Sequence, residues 1–69
     1  DRLKALGGRI REFREKRKLT LEAVEGAGYP SWQHLQAIEQ GRKNLTVTSL
    51  FRLADALGVD ASELIAKLR

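Results

Sequence analysis

Residues 28–44 read GYPSWQHLQAIEQGRKN. Tyr29 and Pro30 make a turn, and Ser31 can cap a helix by accepting a backbone N–H. Leu35 and Ile38 follow at helical spacing, and Gly41 can take the left-handed conformation that closes a helix. The stretch predicts a helix of about ten residues, over about 31–40. Its outer side is unusual. A solvated helix carries Glu and Lys outward, whereas this one projects Gln33, His34, Gln36 and Gln40. An amide presents a donor beside an acceptor, the pattern that pairs with base edges in a DNA major groove.

Upstream, Leu3, Leu6, Ile10 and Phe13 recur at helical spacing and predict a first helix over about 1–17, its other faces basic. Thr20 can cap a short second helix that closes near Gly26 to Gly28, where glycine lowers the cost of leaving helical geometry. Downstream, Arg42 to Leu45 form a loop and Thr46 can cap a fourth helix. That helix is expected to turn Val47, Leu50, Leu53, Ala54 and Leu57 inward and to stop at Gly58. Asp60 with Glu63 resembles a capping box opening a last helix that carries Leu64, Ile65 and Leu68. Nothing alternates with a strand period. The expected class is all-α, with five short helices and a helix-turn-helix unit in the second and third. No repeat, low-complexity tract or Pro-rich linker divides the chain, so residues 1–69 read as one domain.

Composition narrows the function. A chain of 69 residues and 7.8 kDa is too small for a deep enzyme cleft. Without Cys there is neither disulfide nor thiolate metal site, and His34, the one histidine, cannot build a metal cluster. No cofactor is expected. No apolar run reaches membrane-spanning length and no signal-type segment opens the chain, which points to a cytosolic protein and no membrane partner. Met is absent even at position 1, the expectation for a piece of a longer chain. Thirteen Lys and Arg against nine Asp and Glu give +4, and a pI near 10.0 favours a polyanionic partner or serves solubility alone. The basic residues crowd the first helix (Arg2, Lys4, Arg9, Arg11, Arg14, Lys16, Arg17, Lys18), with Arg42 and Lys43 following the glutamine-bearing one.

The segments LGGRIREFREKRKLT, LQAIEQGRKN and SLFRLADALGV together resemble the lambda-repressor and Cro-like (XRE-type) family of bacterial and phage transcription regulators. The likeness covers nearly the whole chain. It rests on the spacing from the arginine of IREFR to the glutamate of AIEQG and on the G-R-K-N loop leading into a Leu/Ala-rich helix. The Asn44-Leu45-Thr46 loop most resembles that of the small restriction-modification controller proteins.

The resemblance implies an ion pair between Arg14 and Glu39 that pins the third helix to the first, with Arg14 additionally able to face a phosphate. It also implies that Ser31, Trp32, Gln33, Gln36, Ala37 and Gln40 read bases. Gln33 and Gln36 can bond an adenine edge bidentately, and Ala37 can offer its methyl to thymine. Gln40, near the helix end, also suits a phosphate. Trp32 either extends the buried stripe or lies against the groove wall. His34 reaches phosphate at most, or is an ordinary exposed histidine. Phosphate contacts are otherwise expected from Thr20, Thr46, Thr48 and Ser49 at helix starts and from Arg42, Lys43 and Asn44 in the loop. Two departures stand out. Leu21 replaces the usual phosphate-contacting Gln, and the second helix looks one residue short, so that Glu25 or Val24 falls where a small residue is expected.

The expectation is a sequence-specific regulator that binds double-stranded DNA, laying the third helix in the major groove and acting as a homodimer on a pseudo-palindromic operator. Phe51, Val59, Ile65 and Leu68 are candidates for the dimer interface, or for core. The rival is a protein-interaction module such as an antitoxin or regulator subunit. No paired carboxylates, nucleophile with base, or phosphate-cradling loop supports an enzyme, and no small-molecule ligand is evident. Gly7-Gly8 lies inside a helical pattern and reads as a close helix contact or a fray point.

Overall fold

A computed structural model of the chain describes residues 2–66. Five helices follow one another: α1 (Arg2–Lys16), α2 (Leu21–Gly26), α3 (Trp32–Glu39), α4 (Val47–Leu57) and α5 (Ala61–Ile65). The described residues contain no strand. They fill an envelope of 30 × 22 × 22 Å. Helix α3 packs against α1 and α2, while α5 packs against α1 and α4.

The helices start where local chemistry allows. Thr20, Ser31 and Thr46 stand in extended conformation, and their hydroxyls accept the N–H of Ala23 (3.0 Å), His34 (3.3 Å) and Ser49 (3.1 Å). Each satisfies a donor that the helix itself cannot pair. At α5 the Glu63 carboxylate accepts the Asp60 N–H at 2.9 Å, the return half of a capping box. Gly41 (φ 76°) and Gly58 (φ 71°) close α3 and α4 in the left-handed region. The turn after α1 has no glycine, and Lys18 adopts φ 57° itself. That costs a side-chain-bearing residue about 1–2 kcal/mol.

The core comprises Ile10, Val24, Tyr29, Leu35, Ile38, Leu53, Ala54, Leu57 and Leu64, and among the described residues nothing polar or charged is buried besides the tyrosine hydroxyl. Val47 departs from expectation. It was expected inward, yet it is 70% exposed. It is the first residue of α4, and Cα–Cβ bonds tilt toward the helix N-terminus, so its side chain points off the end of the helix rather than onto the core. Among the interface candidates, Phe51 and Ile65 are exposed, whereas Val59 packs against the core. Leu68 lies outside the described residues.

Much of the charge on α1 is engaged within the fold. Arg9 donates to the Glu63 carbonyl at 2.8 Å and lies over the Phe13 ring, 5.1 Å from its centroid. Arg11 pairs with Glu15 one turn on, an exposed contact of little energetic weight. The cationic surface is therefore narrower than the basic count of α1 suggests.

Candidate nucleic-acid interface

Helix α3 is held from three sides. On the first, Arg14 grips Glu39 through Nε to Oε2 at 2.7 Å and Nη2 to Oε1 at 3.0 Å, while Nη1 donates to the Leu19 carbonyl at 2.8 Å. Their side chains are only 13% and 6% exposed. The hydrogen bonds to Glu39 raise the guanidinium pKa against the opposing effect of burial, so Arg14 stays charged.

On the same side, Gly7 brings α1 against the end of α3. A methyl at Gly7 would come within 2.3 Å of the Ile38 carbonyl oxygen and 2.6 Å of that of Glu39. Only a residue without Cβ permits this approach. Next to it Gly8 faces open space.

On the second side, α2 caps α3. Glu25, in the last turn of α2, accepts the Trp32 N–H through Oε2 at 3.0 Å. The carboxylate thus complements the positive end of the α3 dipole and locks the turn of the helix-turn-helix. The residue that looked out of place in a shortened α2 is what joins the two helices. Glu25 lies seven residues before Trp32, on the other side of the turn, so no local capping pattern shows this role in the sequence.

Tyr29 forms the third support, and it too went unrecognised. Its place beside Pro30 marks a turn, yet it is 1% exposed. Its hydroxyl meets His34 Nδ1 at 2.8 Å, and the two rings stack with centroids 5.9 Å apart. Burial raises the phenol pKa, and the nearby Ser49 hydroxyl acts in the opposite direction.

The outward face that remains is narrow. Gln33 and Gln40 are exposed and Gln36 is half-buried, all on one side of α3. Ser31 combines two contacts, accepting the His34 N–H and donating to Gln33 Oε1 at 3.0 Å. Trp32 sits half-buried at one edge and His34 half-buried at the other.

Ala37 is a correction. Expected to offer its methyl outward, it is 8% exposed. Because α3 packs against both α1 and α2, its buried arc is wider than a single Leu35–Ile38 stripe, and Ala37 falls inside it.

Around this face lie the expected phosphate-binding groups. Arg42, Lys43 and Asn44 are exposed directly after α3, anchored where the Arg42 N–H returns to the Ala37 carbonyl at 2.9 Å. Thr20, Thr46 and Thr48 are exposed, whereas Ser49 is half-buried beside Tyr29. Between α1 and α3 a cleft of about 270 Å³ opens beside Gln36 and Gln40, with Arg11, Leu21 and the Arg14–Glu39 pair in its walls. The described residues hold no group of three or more His, Cys, Asp or Glu able to bind a metal, and no helix among them is long and apolar enough to cross a membrane.

Comparison with known proteins agrees with this arrangement. Residues 5–66 match the helix-turn-helix domain family. The chain is 42% identical over 65 residues to the uncharacterized HTH-type transcriptional regulator y4dJ of Sinorhizobium fredii, covering 94% of this chain and 84% of that protein. It is 35% identical over 57 residues to the HTH-type transcriptional regulator DdrOP3 of Deinococcus deserti, covering 83% of this chain and 44% of the longer relative. Its structure is similar to that of the restriction-modification controller protein C.AhdI from Aeromonas hydrophila, with a TM-score of 0.86 at 27% identity, over 90% of this chain and 94% of the other.

Proposed function

The chain belongs to the helix-turn-helix family of transcriptional regulators and is a DNA-binding transcription regulator; from that premise we propose that α3 enters the major groove and reads sequence. The carrying observation is one narrow face. Gln33, Gln36 and Gln40 project together from a helix held by Arg14, Glu25 and Tyr29, with Arg42, Lys43 and Asn44 next to its end. Amides discriminate base edges, while the loop cations and the exposed hydroxyls at helix starts bind phosphate. Ser31 contributes by orienting Gln33, and Trp32 lines the groove wall.

The protein acts as a homodimer on a pseudo-palindromic operator, with half-sites about 34 Å apart. Supporting this reading, Val47, Phe51 and Ile65 leave large apolar side chains 70%, 58% and 47% exposed, on helices other than the reading one. A second copy covering them would double the number of base contacts. Such a regulator carries out its role without catalysis, and it works in the cytoplasm on chromosomal or phage DNA.

A charge-reversal experiment tests the reading. Replacing Arg42 and Lys43 with Glu should abolish DNA binding and leave self-association intact, since neither residue lies on the apolar helices. Retained DNA affinity with an unchanged salt dependence would overturn the phosphate role of the loop.

A further inference from the structure

We infer that Tyr29 is a positioning residue for DNA contact: its phenol O–H, donated to His34 Nδ1, holds the imidazole as the Nε2–H tautomer and turns that N–H outward as a neutral donor for a phosphate oxygen. The inference rests on the DNA-reading role of α3 and adds to it a specific atom.

Geometry supplies the first step. The 2.8 Å contact fixes one ring nitrogen, and stacking with the planes 16° apart fixes the plane of the imidazole. Tyr29 is itself enclosed by the core, at 1% exposure. His34 therefore has a defined orientation, unlike an ordinary surface histidine.

The proton's position follows from the chemistry of the two groups. The in-plane lone pair of an imidazole nitrogen is a far stronger acceptor than a phenol oxygen, whose electrons are drawn into the ring. The O–H accordingly points to Nδ1, and a neutral ring whose Nδ1 accepts carries its hydrogen on Nε2.

The outward direction of Nε2 has its own support. No buried side-chain nitrogen or oxygen among the described residues lacks a hydrogen-bond partner. Among the described residues Nε2 has no hydrogen-bond partner, so it is reached by solvent. His34 is half-buried and follows exposed Gln33 directly in α3, which places it at the edge of the reading face. A lone N–H donor at the flank of a groove-reading helix matches the acceptor-only oxygens of the DNA backbone. A ring that carries a single N–H brings no charge to this contact, which then releases no counterion.

The amides of Asn and Gln separate the two ring nitrogens, since Asn reaches about as far as Nδ1 and Gln about as far as Nε2. With a duplex selected by the wild-type protein, His34→Asn should weaken binding about five- to tenfold, while the slope of affinity against salt stays unchanged. His34→Gln should stay within about threefold. A thermal melt checks that each variant folds. Nitrogen-15 spectra of the single histidine in the free protein should show hydrogen on Nε2, and Tyr29→Phe should mix the tautomers. Hydrogen on Nδ1, or wild-type affinity in His34→Asn, would overturn the inference. A wild-type chain that binds no DNA would instead overturn the regulator reading, and with it the phosphate contact, while the tautomer could still be read.

Discussion

Arg14 closes a two-bond fork on Glu39 across the interface of α1 and α3, at 2.7 Å and 3.0 Å, with both side chains nearly excluded from water. A third bond, to the Leu19 carbonyl, ties the same guanidinium to the turn before α2. One side chain thus sets the orientation of α3 relative to both helices behind it. Glu39→Ala strands the guanidinium and should cost about 3–5 kcal/mol. That corresponds to a fall in melting temperature of roughly 12 °C or more for a domain of this size. Replacing both partners with apolar residues should cost much less than the sum of the single changes, measurable in a double-mutant cycle by thermal denaturation.

Gly7 and Gly8 are adjacent in sequence and opposite in consequence. Gly7→Ala forces a methyl into the backbone of Ile38 and Glu39 and should destabilise by about 1–3 kcal/mol, shifting α3 and weakening DNA binding. Gly8→Ala meets nothing and should stabilise α1 by up to about 1 kcal/mol. Chemical denaturation of the two variants checks the contrast; equal effects would contradict the close approach.

The buried phenol makes stability sensitive to alkali. Burial raises the Tyr29 pKa above its ordinary value of 10.0, so its contribution is fully present below pH 10.0 and is lost as pH rises through the folded value. Arg14 does not share this window. Its hydrogen bonds to Glu39 raise a pKa that already lies above that of tyrosine, so its contribution persists to still higher pH. Since Tyr29 is the one tyrosine, tyrosinate absorbance reports it alone. Its midpoint should lie above that of a free tyrosine, and Tyr29→Phe should remove the associated loss of stability between pH 10 and the folded midpoint.

The apolar surface of α4 and α5 predicts self-association. Phe51→Glu should yield a monomer in analytical ultracentrifugation and lower operator affinity by about tenfold or more, because each half-site then binds alone. At 58% exposure, Phe51 contributes little to the core, so the melt of the diluted monomer should barely change. A dimer that survives Phe51→Glu would place the interface elsewhere.

How much of this was legible depended on the range of the interactions. Caps at Thr20, Ser31 and Thr46 act over three residues, and stops at Gly41 and Gly58 over one or two, so the sequence displays them directly. The spacing of Arg14 and Glu39 was readable only through family resemblance, since a separation of 25 residues has no local period. Ala37 and Val47 were misplaced because a hydrophobic stripe reveals the centre of a buried face and not its width or its ends. Tyr29 and Glu25 acquire their roles from contacts across the turn, where neither helical periodicity nor turn chemistry gives a direction. Gly7 carried a signal that could not be resolved. A glycine inside a helix marks either close approach or weakness, and the neighbouring Gly8 shows that both readings can hold one residue apart.

The most direct measurement of the central claim is selection of bound duplexes from a random pool by the wild-type protein and by Gln36→Ala. The wild type should enrich a pseudo-palindromic motif, and the variant should show a relaxed preference at one symmetric pair of positions, each worth about 1–3 kcal/mol of discrimination. Enrichment of no motif by the wild type, or of an unaltered motif by Gln36→Ala with the other glutamines equally without effect, would contradict the assignment of α3 as the reading helix.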